Sequence, residues 1–285
     1  MELNEIKKIA VVGAGTMGAG IAQLAAMAGY ETVLFDIKKT ALKTAMVGIG
    51  KNMDGAIARN KISETDKANA LALITTTDEL LNIRADVIIE AIIERLESKV
   101  ELFQLLSEHN KPTTIFATNT SSIPITQIGA QLDNPERLVG MHFFNPAHIM
   151  KLVEIIEGVS TSEQVAKTTK LLAEKMGKKA VVAKDAPGFI VNRVARHFYV
   201  EGLKVLEEKV GDVETIDALV KASGFRMGPF ELMDLIGVDT NLSVTTSMFE
   251  RFNYDSKFRP NRIQQQLVDA GNNGRKSGKG FYDHS

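Results

Sequence analysis

The stretch that determines the fold runs from Ile9 to Asp36 and reads IAVVGAGTMGAGIAQLAAMAGYETVLFD. It opens with a continuous apolar run over residues 9–13, which is typical of a strand buried on both faces. Residues 16–28 have the composition of a helix, and residues 32–36 form a second apolar run. This order predicts a βαβ unit, whose two strands lie parallel in one sheet.

The glycines between the first strand and the helix fit the pattern G-x-G-x-x-G. We expect Gly13 to make the tight turn, Gly15 to let the backbone approach a pyrophosphate, and Gly18 to let the helix pack close to the strand. The N-terminus of the helix adds free N–H groups and a partial positive charge. The motif therefore predicts a dinucleotide site, although the spacing alone also fits a glycine-rich turn that binds nothing.

Asp36 supports the dinucleotide prediction, because it ends the second strand 36 − 18 = 18 residues after Gly18. A carboxylate at this point can accept hydrogen bonds from the ribose hydroxyls of adenosine. It also repels a ribose 2′-phosphate, which favours NAD over NADP, while Lys38 and Lys39 beside it could still accept that phosphate. The alternative is that Asp36 only caps a helix or faces solvent.

The alternation of strands and helices continues along the chain. We predict further strands over residues 86–90, 114–118, 137–143, 152–156 and 180–183, with helices over residues 38–60, 99–109 and 161–176. From Pro187 onward we predict only helices, over residues 187–209, 213–222, 229–248 and 260–270. The predicted fold is α/β, with a Rossmann-type, mostly parallel sheet in residues 1–184 and an all-helical C-terminal domain in residues 185–285.

The composition is that of an ordinary soluble globular protein, with 285 residues, 44% of them hydrophobic, and a formal net charge of −1. A balanced charge gives no general attraction for nucleic acid, and no apolar stretch reaches the ~18 residues of a membrane span. Cysteine is absent, which excludes disulfides and thiolate chemistry, and we predict no metal. The N-terminus has acidic residues where a signal peptide is basic. We therefore predict a cytoplasmic protein without nucleic-acid or membrane partners.

The oxidation of an alcohol needs a base for the hydroxyl proton, and histidine is the usual choice. Among the five histidines, we expect His109 and His284 to be solvated, His197 to pack within a helix, and His148 to lie in a loop. His142 differs because it lies near the carboxyl end of a predicted strand, where open α/β sheets bind their ligands. His142 is therefore the candidate base.

A base also needs a group that orients it. Glu154 is the only acid in the apolar segment 151–156, and a carboxylate in a buried strand is costly unless it is paired. A pair of His142 and Glu154 would meet both needs. The alternative is an acid on a solvated strand face and a histidine that serves only packing.

The segment Asn119-Thr-Ser121-Ser122 places small hydrogen-bonding groups at the carboxyl end of another predicted strand. These groups are candidates for binding a substrate or cofactor. The equally simple alternative is that they only cap the segment that follows.

Taken together, these residues resemble the L-3-hydroxyacyl-CoA dehydrogenase family, and in particular its short bacterial members. The resemblance covers essentially the whole chain. The motifs that carry it are GAGTMG at 13–18, EAIIERLESK at 90–99, NTSS at 119–122, HFFNPAHIMKLVE at 142–154, PGFIVNR at 187–193, MGPFEL at 227–232 and GRKSGKGFY at 274–282.

The resemblance implies hydride transfer between NAD and C3 of a short 3-hydroxyacyl-CoA, in a homodimer joined through the helical domains. It implies His142 as the catalytic acid and base, Glu154 as its partner, and Ser121 and Asn192 as groups that bind the 3-oxygen and thioester region. The glycine motif and the resemblance together assign to the cofactor site Gly13, Ala14, Gly15, Thr16, Met17, Gly18, Asp36, Glu94, Lys99, Asn119, Ser121, Asn145 and Lys276.

The contacts to CoA are less clearly patterned. Lys51, Asn52 and Arg59 are the nearest matches, and Lys51 and Arg59 lie about two helical turns apart, so that one face could meet CoA phosphates. An exposed basic face of a helix is the alternative. The chain also has His148 at or beside the place where the family commonly has a second proline.

Two other functions fit the same residues. One is a dehydrogenase of a small 3-hydroxy acid without CoA, because related proteins of this architecture accept such substrates. The other is a non-catalytic NAD-binding protein, since a fold can persist without its chemistry.

Overall fold

The computed structural model describes residues 1–284; Ser285, the last residue of the predicted helical domain, lies outside the described residues. The strands are β1 (Lys8–Val12), β2 (Glu31–Phe35), β3 (Ile74–Thr77), β4 (Val87–Glu90), β5 (Ile115–Thr118), β6 (Leu138–Phe143), β7 (Leu152–Glu157) and β8 (Lys179–Lys184). The α-helices are α1 (Thr16–Met27), α2 (Lys39–Ile57), α3 (Glu64–Ala72), α4 (Leu96–His109), α5 (Ile125–Gly129), α6 (Glu163–Lys175), α7 (Val191–Glu207), α8 (Val213–Ala222), α9 (Pro229–Ile236), α10 (Val238–Arg251) and α11 (Arg262–Asp269).

The described strands form one eight-stranded sheet in the order β3-β2-β1-β4-β5-β6-β7-β8. Neighbouring strands are parallel, except that β6 and β7 run antiparallel. β6 and β7 can be antiparallel because residues 144–151 join them directly, without a crossover helix. The predicted Rossmann-type, mostly parallel sheet is confirmed. Its parallel strands bring the carboxyl ends of β1, β2, β4, β5 and β6 to the same edge.

The sequence patterns missed one strand and one helix, β3 and α3. β3 reads Ile-Thr-Thr-Thr and buries only Ile74 fully, so it has neither an apolar run nor an alternating pattern. It lies at the edge of the sheet, where it pairs with β2. α3 begins with a capping box, in which Ser63 and Asp66 bond each other's backbone N–H groups.

Two predicted helices end earlier than expected. The helix predicted over residues 38–60 ends at Ile57, and Asn60 has a φ of +53°, which a helix does not allow. The helix predicted over residues 229–248 is two helices, because Gly237 between α9 and α10 has a φ of +104°. Glycine adopts that angle without the steric penalty of a side chain.

By their internal contacts the described residues divide into two compact units, Met1–Ala186 and the residues from Pro187 onward. The first unit buries the central strands completely, with Ile9, Val11, Ile89, Ala117 and Met141 each 0% exposed. The second unit packs its helices around Tyr199, Leu203, Ile216, Phe230 and Met233. Its long regular elements are all helices, as predicted. Within residues 1–284, no helix combines the length and the apolar character that a membrane crossing requires.

Candidate active site

The glycine motif forms the turn between β1 and α1. Gly13 has a φ of +106°, and a Cβ there would lie 2.5 Å from the backbone oxygen of Ala91. A Cβ on Gly18 would lie 1.7 Å from the backbone oxygen of Gly13, so the helix can approach the turn only with glycine here. A Cβ on Gly15 would meet no described atom within 4 Å. Gly13 and Gly18 thus shape the turn, while the backbone at Gly15 stays approachable from outside.

The first turn of α1 fits the pyrophosphate of a dinucleotide. The helix begins at Thr16, and no described side chain caps it. The N–H groups of a first turn have no partner inside the helix, and the helix dipole attracts an anion to them. The backbone of Thr16, Met17 and Gly18 therefore provides the predicted anion site. Ala14 differs, because its N–H donates to Oδ2 of Asp36 at 2.8 Å.

Asp36 follows β2 directly and is half-buried. Its Oδ1 accepts a hydrogen bond from the backbone N–H of Lys38 at 2.9 Å, while its Oδ2 accepts the bond from Ala14. Asp36 therefore does not cap α2, which begins at Lys39 without a side-chain cap, but it holds two backbone N–H groups beside the glycine turn. An ionised carboxylate offers about four acceptor sites, so Asp36 keeps capacity for the ribose hydroxyls as well.

His142 and Glu154 lie directly opposite each other on the antiparallel strands β6 and β7. Nδ1 of His142 lies 2.8 Å from Oε2 of Glu154, and the two side chains are 7% and 0% exposed. This burial excludes the alternative that Glu154 lies on a solvated strand face. The ring of His142 also packs against Phe144, with 4.5 Å between the ring centroids. The structure thus brings the predicted pair together and fixes the orientation of the imidazole.

The segment after β5 is held by the carboxylate of Glu94. Oε1 of Glu94 accepts hydrogen bonds from the hydroxyl of Thr120 at 2.6 Å and from the N–H groups of Ser121 and Ser122 at 3.0 Å and 3.2 Å. Burial by itself raises the pKa of Glu94, but the charge of Lys99 and the bonds from Thr120 and Ser121 outweigh it and hold the pKa below its ordinary value. Glu94 is therefore an ionised acceptor that shapes the segment.

Asn119 joins the ends of two neighbouring strands. Its Oδ1 accepts a hydrogen bond from the N–H of Phe143 at 2.9 Å, and its own N–H donates to the backbone oxygen of Glu90 at 2.8 Å. The segment that carries Ser121 therefore starts beside the end of the strand that carries His142. The predicted small polar groups do more than cap the next helix.

Comparison with known proteins gives the family. Residues 8–186 match the NAD-binding domain of 3-hydroxyacyl-CoA dehydrogenase, and residues 188–284 match the C-terminal domain of 3-hydroxyacyl-CoA dehydrogenase. The chain belongs to the 3-hydroxyacyl-CoA dehydrogenase family. It is therefore an oxidoreductase that acts on CH–OH groups, and its first unit contains the family's NAD-binding domain. The predicted family, enzyme class and NAD cofactor are confirmed.

Individual relatives agree with this assignment. The chain is 47% identical over 280 residues to the 3-hydroxyadipyl-CoA dehydrogenase of Escherichia coli, covering 98% of this chain but only 59% of that protein. It is 41% identical to the 3-hydroxybutyryl-CoA dehydrogenase of Bradyrhizobium diazoefficiens, covering 98% of this chain and 96% of the relative. The solved structure of (S)-3-hydroxybutyryl-CoA dehydrogenase from Ralstonia eutropha is 37% identical, with a TM-score of 0.95 over 99% of this chain and 100% of that one.

Within this 3-hydroxyacyl-CoA dehydrogenase chain, Lys99 lies between two acids. Its side chain is 1% exposed, and Nζ lies 2.6 Å from Oε1 of Glu90 and 3.2 Å from Oε2 of Glu94. Lys99 therefore supports Glu94, and its predicted contact with NAD stays a prediction.

Three other predicted site residues are Asn145, which lies in the first unit, and Asn192 and Lys276, which lie in the second. Asn145 is exposed in the segment that follows β6. In the second unit, Asn192 lies half-buried in the first turn of α7. Also in the second unit, Nζ of Lys276 lies 2.6 Å from Oδ1 of Asp239 at the start of α10.

Within residues 1–284, no group of three or more His, Asp and Glu could hold a metal ion.

The candidate CoA contacts do not share one helix face. Lys51 is exposed on α2, but Arg59 lies in the turn after the helix, because α2 ends at Ile57. The amide of Asn52 donates to Oε1 of Gln23 on α1 at 3.3 Å, so it joins two helices. The predicted common face of Lys51 and Arg59 was therefore wrong.

His148 and Arg59 are electrostatic neighbours. Burial, together with the positive charges of Lys178 and Arg59, lowers the pKa of His148 below its ordinary value. The same loop is anchored by Lys178, whose Nζ donates to the backbone oxygens of Ala147 at 2.6 Å and Met150 at 2.8 Å. His148 thus lies on a loop whose backbone is held in place by hydrogen bonds from Lys178.

The predicted solvation of His284 was wrong. Its Nε2 lies 2.8 Å from Oδ2 of Asp234, whose side chain is 0% exposed. Asp234 also accepts the N–H groups of Phe281 and Tyr282, each at 2.9 Å, so the end of the described chain folds back onto α9. His197 stacks on Phe258 with 5.3 Å between the ring centroids, which agrees with the packing role expected of it.

Sequence reasoning missed Glu90, a further buried acid at the same edge of the sheet. Glu90 ends β4, is 0% exposed, and bonds both Lys99 and the hydroxyl of Thr118. The signal was available, because Glu90 ends an apolar strand in the same way that Glu154 lies within one. Its partner could not be read from the sequence, since Lys99 lies on the following helix.

Proposed function

We propose that this chain interconverts short-chain 3-hydroxyacyl-CoA and 3-oxoacyl-CoA with NAD(H), with 3-hydroxybutyryl-CoA and acetoacetyl-CoA as the substrate pair. The observation that carries the proposal is the buried pair of His142 and Glu154, 2.8 Å apart, beside the end of β6. An oriented imidazole at the carboxyl edge of a dinucleotide-binding sheet is suited to exchange a proton with a substrate hydroxyl.

When bound, NAD supplies the acceptor for the hydride that leaves C3 of the substrate. During oxidation His142 removes the proton of the 3-hydroxyl group, and during reduction the imidazolium returns it. Because Nδ1 faces Glu154, we assign this exchange to Nε2 of His142. Glu154 keeps the imidazole in the required tautomer and stabilises the imidazolium.

Ser121 and Asn192 are assigned to the 3-oxygen, where negative charge develops during the reaction. Each hydrogen bond to such an oxygen is expected to lower the barrier by about 2–4 kcal/mol. The hydroxyl of Ser121 lies 3.5 Å from Glu94, too far for a strong hydrogen bond, so it remains a donor for the substrate. Lys51 and Arg59 are both exposed cations and are assigned to the phosphates of CoA. Asn52 is assigned to the same CoA-binding surface.

The length of the acyl group is proposed from the names of the relatives. Relatives that match along nearly their full length are named 3-hydroxybutyryl-CoA dehydrogenases, which supports a four-carbon acyl group. The Escherichia coli relative is named 3-hydroxyadipyl-CoA dehydrogenase, whose substrate carries a second carboxylate. A short acyl group without that charge is our choice, because the relatives from Bradyrhizobium diazoefficiens and Bacillus subtilis, which match along nearly their full length, carry the four-carbon name.

The test is a steady-state assay of NADH oxidation with three substrates: acetoacetyl-CoA, 3-oxoadipyl-CoA and free acetoacetate. We expect the highest kcat/KM with acetoacetyl-CoA. A higher value with 3-oxoadipyl-CoA would move the assignment to dicarboxylic acyl groups. Turnover of acetoacetate without CoA at a similar kcat/KM would favour the dehydrogenase of a free 3-hydroxy acid, and no turnover of any substrate would contradict the proposal.

The preference for NAD over NADP rests on Asp36. Its carboxylate lies at the end of β2 and accepts two backbone N–H groups, which holds it beside the glycine turn. A 2′-phosphate on the cofactor would meet this negative charge. We expect a lower KM for NADH than for NADPH, and equal values would show that Lys38 and Lys39 compensate.

We also propose that the chain forms a homodimer through its helical unit and acts in the cytoplasm. Large apolar side chains are exposed on that unit, among them Val194 at 68%, Leu219 at 66% and Phe225 at 57%. Such surfaces are commonly covered by a second copy. Light scattering that gives the mass of one chain at assay concentration would contradict the dimer.

A further inference from the structure

The acid Glu90 has no role in the proton transfer, yet it is completely buried beside the site. It ends β4 with 0% exposure. Its Oε1 accepts hydrogen bonds from Nζ of Lys99 at 2.6 Å and from the N–H of Ile92 at 2.7 Å, and its Oε2 accepts the hydroxyl of Thr118 at 2.6 Å. All these contacts are short, so the Glu90 carboxylate is held firmly in one place.

Lys99 forms ion pairs with both Glu90 and Glu94, and so connects the two carboxylates. Its ammonium group lies between Oε1 of Glu90 and Oε2 of Glu94, at 2.6 Å and 3.2 Å. Lys99 and Glu90 are 1% and 0% exposed, so water screens their interaction little, whereas the side chain of Glu94 is 37% exposed. Arg95, the other cation on this segment, pairs with Glu97 at 3.6 Å and leaves Glu94 to Lys99. The charges at this point are therefore Glu90, Lys99 and Glu94.

Glu94 in turn lies closer to the backbone nitrogen of Ser121 than to the hydroxyl group of the same residue. Oε1 of Glu94 lies 3.0 Å from the backbone nitrogen of Ser121 and 3.2 Å from that of Ser122. The hydroxyl of Ser121 lies farther away, at 3.5 Å. The peptide is thus fixed while the hydroxyl can still donate to another acceptor.

This arrangement is strongest while Glu94 is ionised. A protonated carboxyl group keeps one acceptor oxygen but loses its charge, so its hydrogen bonds from the N–H groups of Ser121 and Ser122 become weaker. Lys99 and the hydrogen bonds of Thr120 and Ser121 oppose the effect of burial and keep the pKa of Glu94 below its ordinary value. The cation of Lys99 is itself stabilised by Glu90.

We propose that Glu90 and Lys99 are positioning residues for the dehydrogenase reaction, which fix Glu94 as an ionised acceptor and thereby hold Ser121 for the 3-oxygen of the substrate. The inference rests on the proposed function, because it uses the role assigned there to Ser121.

The first test does not depend on catalysis. The amide protons of Ser121 and Ser122 are followed by NMR as the pH is changed, because an N–H bonded to a carboxylate reports its ionisation. We expect no inflection above about pH 5 in the wild type, and an inflection raised by about 1–3 pH units in Lys99→Met, where Glu90 and Glu94 are left without the cation. Arg95→Met removes a cation from the same segment and is expected to behave as the wild type.

Lys99→Met leaves the buried Glu90 and the partly exposed Glu94 without their cation, and this variant could fail to fold. The double variant Glu90→Gln/Lys99→Met removes both buried charges and keeps the chain neutral at this point. Its inflection is expected between those of the wild type and Lys99→Met, since Glu94 loses the attraction of Lys99 without gaining the repulsion of Glu90. Inflections of the folded variants that coincide with the wild type would overturn the proposal.

The second test is kinetic and uses acetoacetyl-CoA. At about pH 6, kcat of the double variant is expected to fall about 10–100-fold relative to the wild type, because the Ser121 segment is misplaced. The ratio to the wild type should recover at about pH 9, where Glu94 is ionised in both proteins. A raised KM for NADH at every pH, with no recovery of kcat, would instead indicate a direct contact between Lys99 and NAD. Absence of wild-type turnover would contradict the proposed function and leave the amide titration as the test of positioning.

Discussion

One sheet carries two completely buried carboxylates, on strands β4 and β7 with β5 and β6 between them, and the two acids have different partners. Glu154 on β7 contacts an imidazole at 2.8 Å, whereas Glu90 at the end of β4 contacts an ammonium group at 2.6 Å. Imidazoles as a class change charge between about pH 5 and 8, whereas ammonium groups keep theirs. Both acids are 0% exposed, so the partner decides whether a buried acid serves proton transfer or only position.

This difference also affects stability. A neutral imidazole is an ordinary form of a histidine side chain, so removal of Glu154 need not leave a buried charge. Removal of Glu90 leaves an ammonium group in a place that is 1% exposed. The first pair is therefore expected to matter more for rate, and the second more for stability.

The largest expected effect is that of His142→Gln on the rate. Loss of the acid and base should lower kcat about 10²–10⁴-fold with acetoacetyl-CoA, while the KM for NADH changes little. The assay is the loss of NADH absorbance. His109→Gln, at the end of α4, is the matched control and should keep the wild-type rate. If the two variants were equally active, the imidazole of the buried pair would have no part in the reaction.

Glu154→Gln should lower kcat about 10–100-fold, because glutamine neither stabilises the imidazolium nor fixes one tautomer. Binding of NADH, measured by fluorescence titration, should stay at the wild-type value. Glu157→Gln removes an acid from the end of the same strand, where Glu157 pairs with Lys184, and serves as the control. Wild-type turnover by Glu154→Gln would reduce this pair to a packing contact and erase the contrast with Glu90.

Glu90→Gln should have its main effect on stability. It leaves the buried charge of Lys99 with Glu94 as its only carboxylate partner among the described residues, and we expect the free energy of unfolding to fall by about 3–5 kcal/mol. Glu154→Gln should cost clearly less. Urea denaturation followed by circular dichroism measures both. Equal losses for the two variants would mean that the partner's ability to become neutral has no influence.

The smallest effect is expected for Thr118→Val, which removes one hydrogen bond to Glu90 and leaves both charges in place. A hydrogen bond to a charged group contributes about 1.5–3 kcal/mol, so the denaturation midpoint should shift less than in Glu90→Gln. The rate with acetoacetyl-CoA should remain within about threefold of the wild type. A loss of rate as large as that of Glu154→Gln would show that the position of Glu90 depends on this single bond.

The sequence predicted those features for which a given residue type at a given place has a single physical reason. The turn at Gly13 and Gly18 follows from the close approach of helix and strand, and the pairing of His142 with Glu154 follows from the cost of an acid in an apolar strand. The sequence was less informative where a contact depends on packing. Nothing in the pattern of Lys99 distinguishes a lysine enclosed by two acids from one that reaches a cofactor.

Local pattern also failed where single residues change the direction of the chain. The positive φ of Gly237 divides a segment whose apolar periodicity is continuous, and the return of the chain onto Asp234 buries part of His284. β3 has one buried residue and is defined by its hydrogen bonds to β2. Tertiary contacts decide such features, and a window of local sequence does not contain them.

The antiparallel junction of β6 and β7 has a consequence for engineering. Side chains alternate along a strand, so adding or deleting one residue inside either strand would turn His142 or Glu154 to the opposite face and separate them. A change of length in the connecting segment around Ile149 lies outside both strands, but it would disturb the hydrogen bonds of Lys178 to Ala147 and Met150. Engineering of this region is therefore better done by substituting exposed residues, which keeps the length of both strands and of their connection.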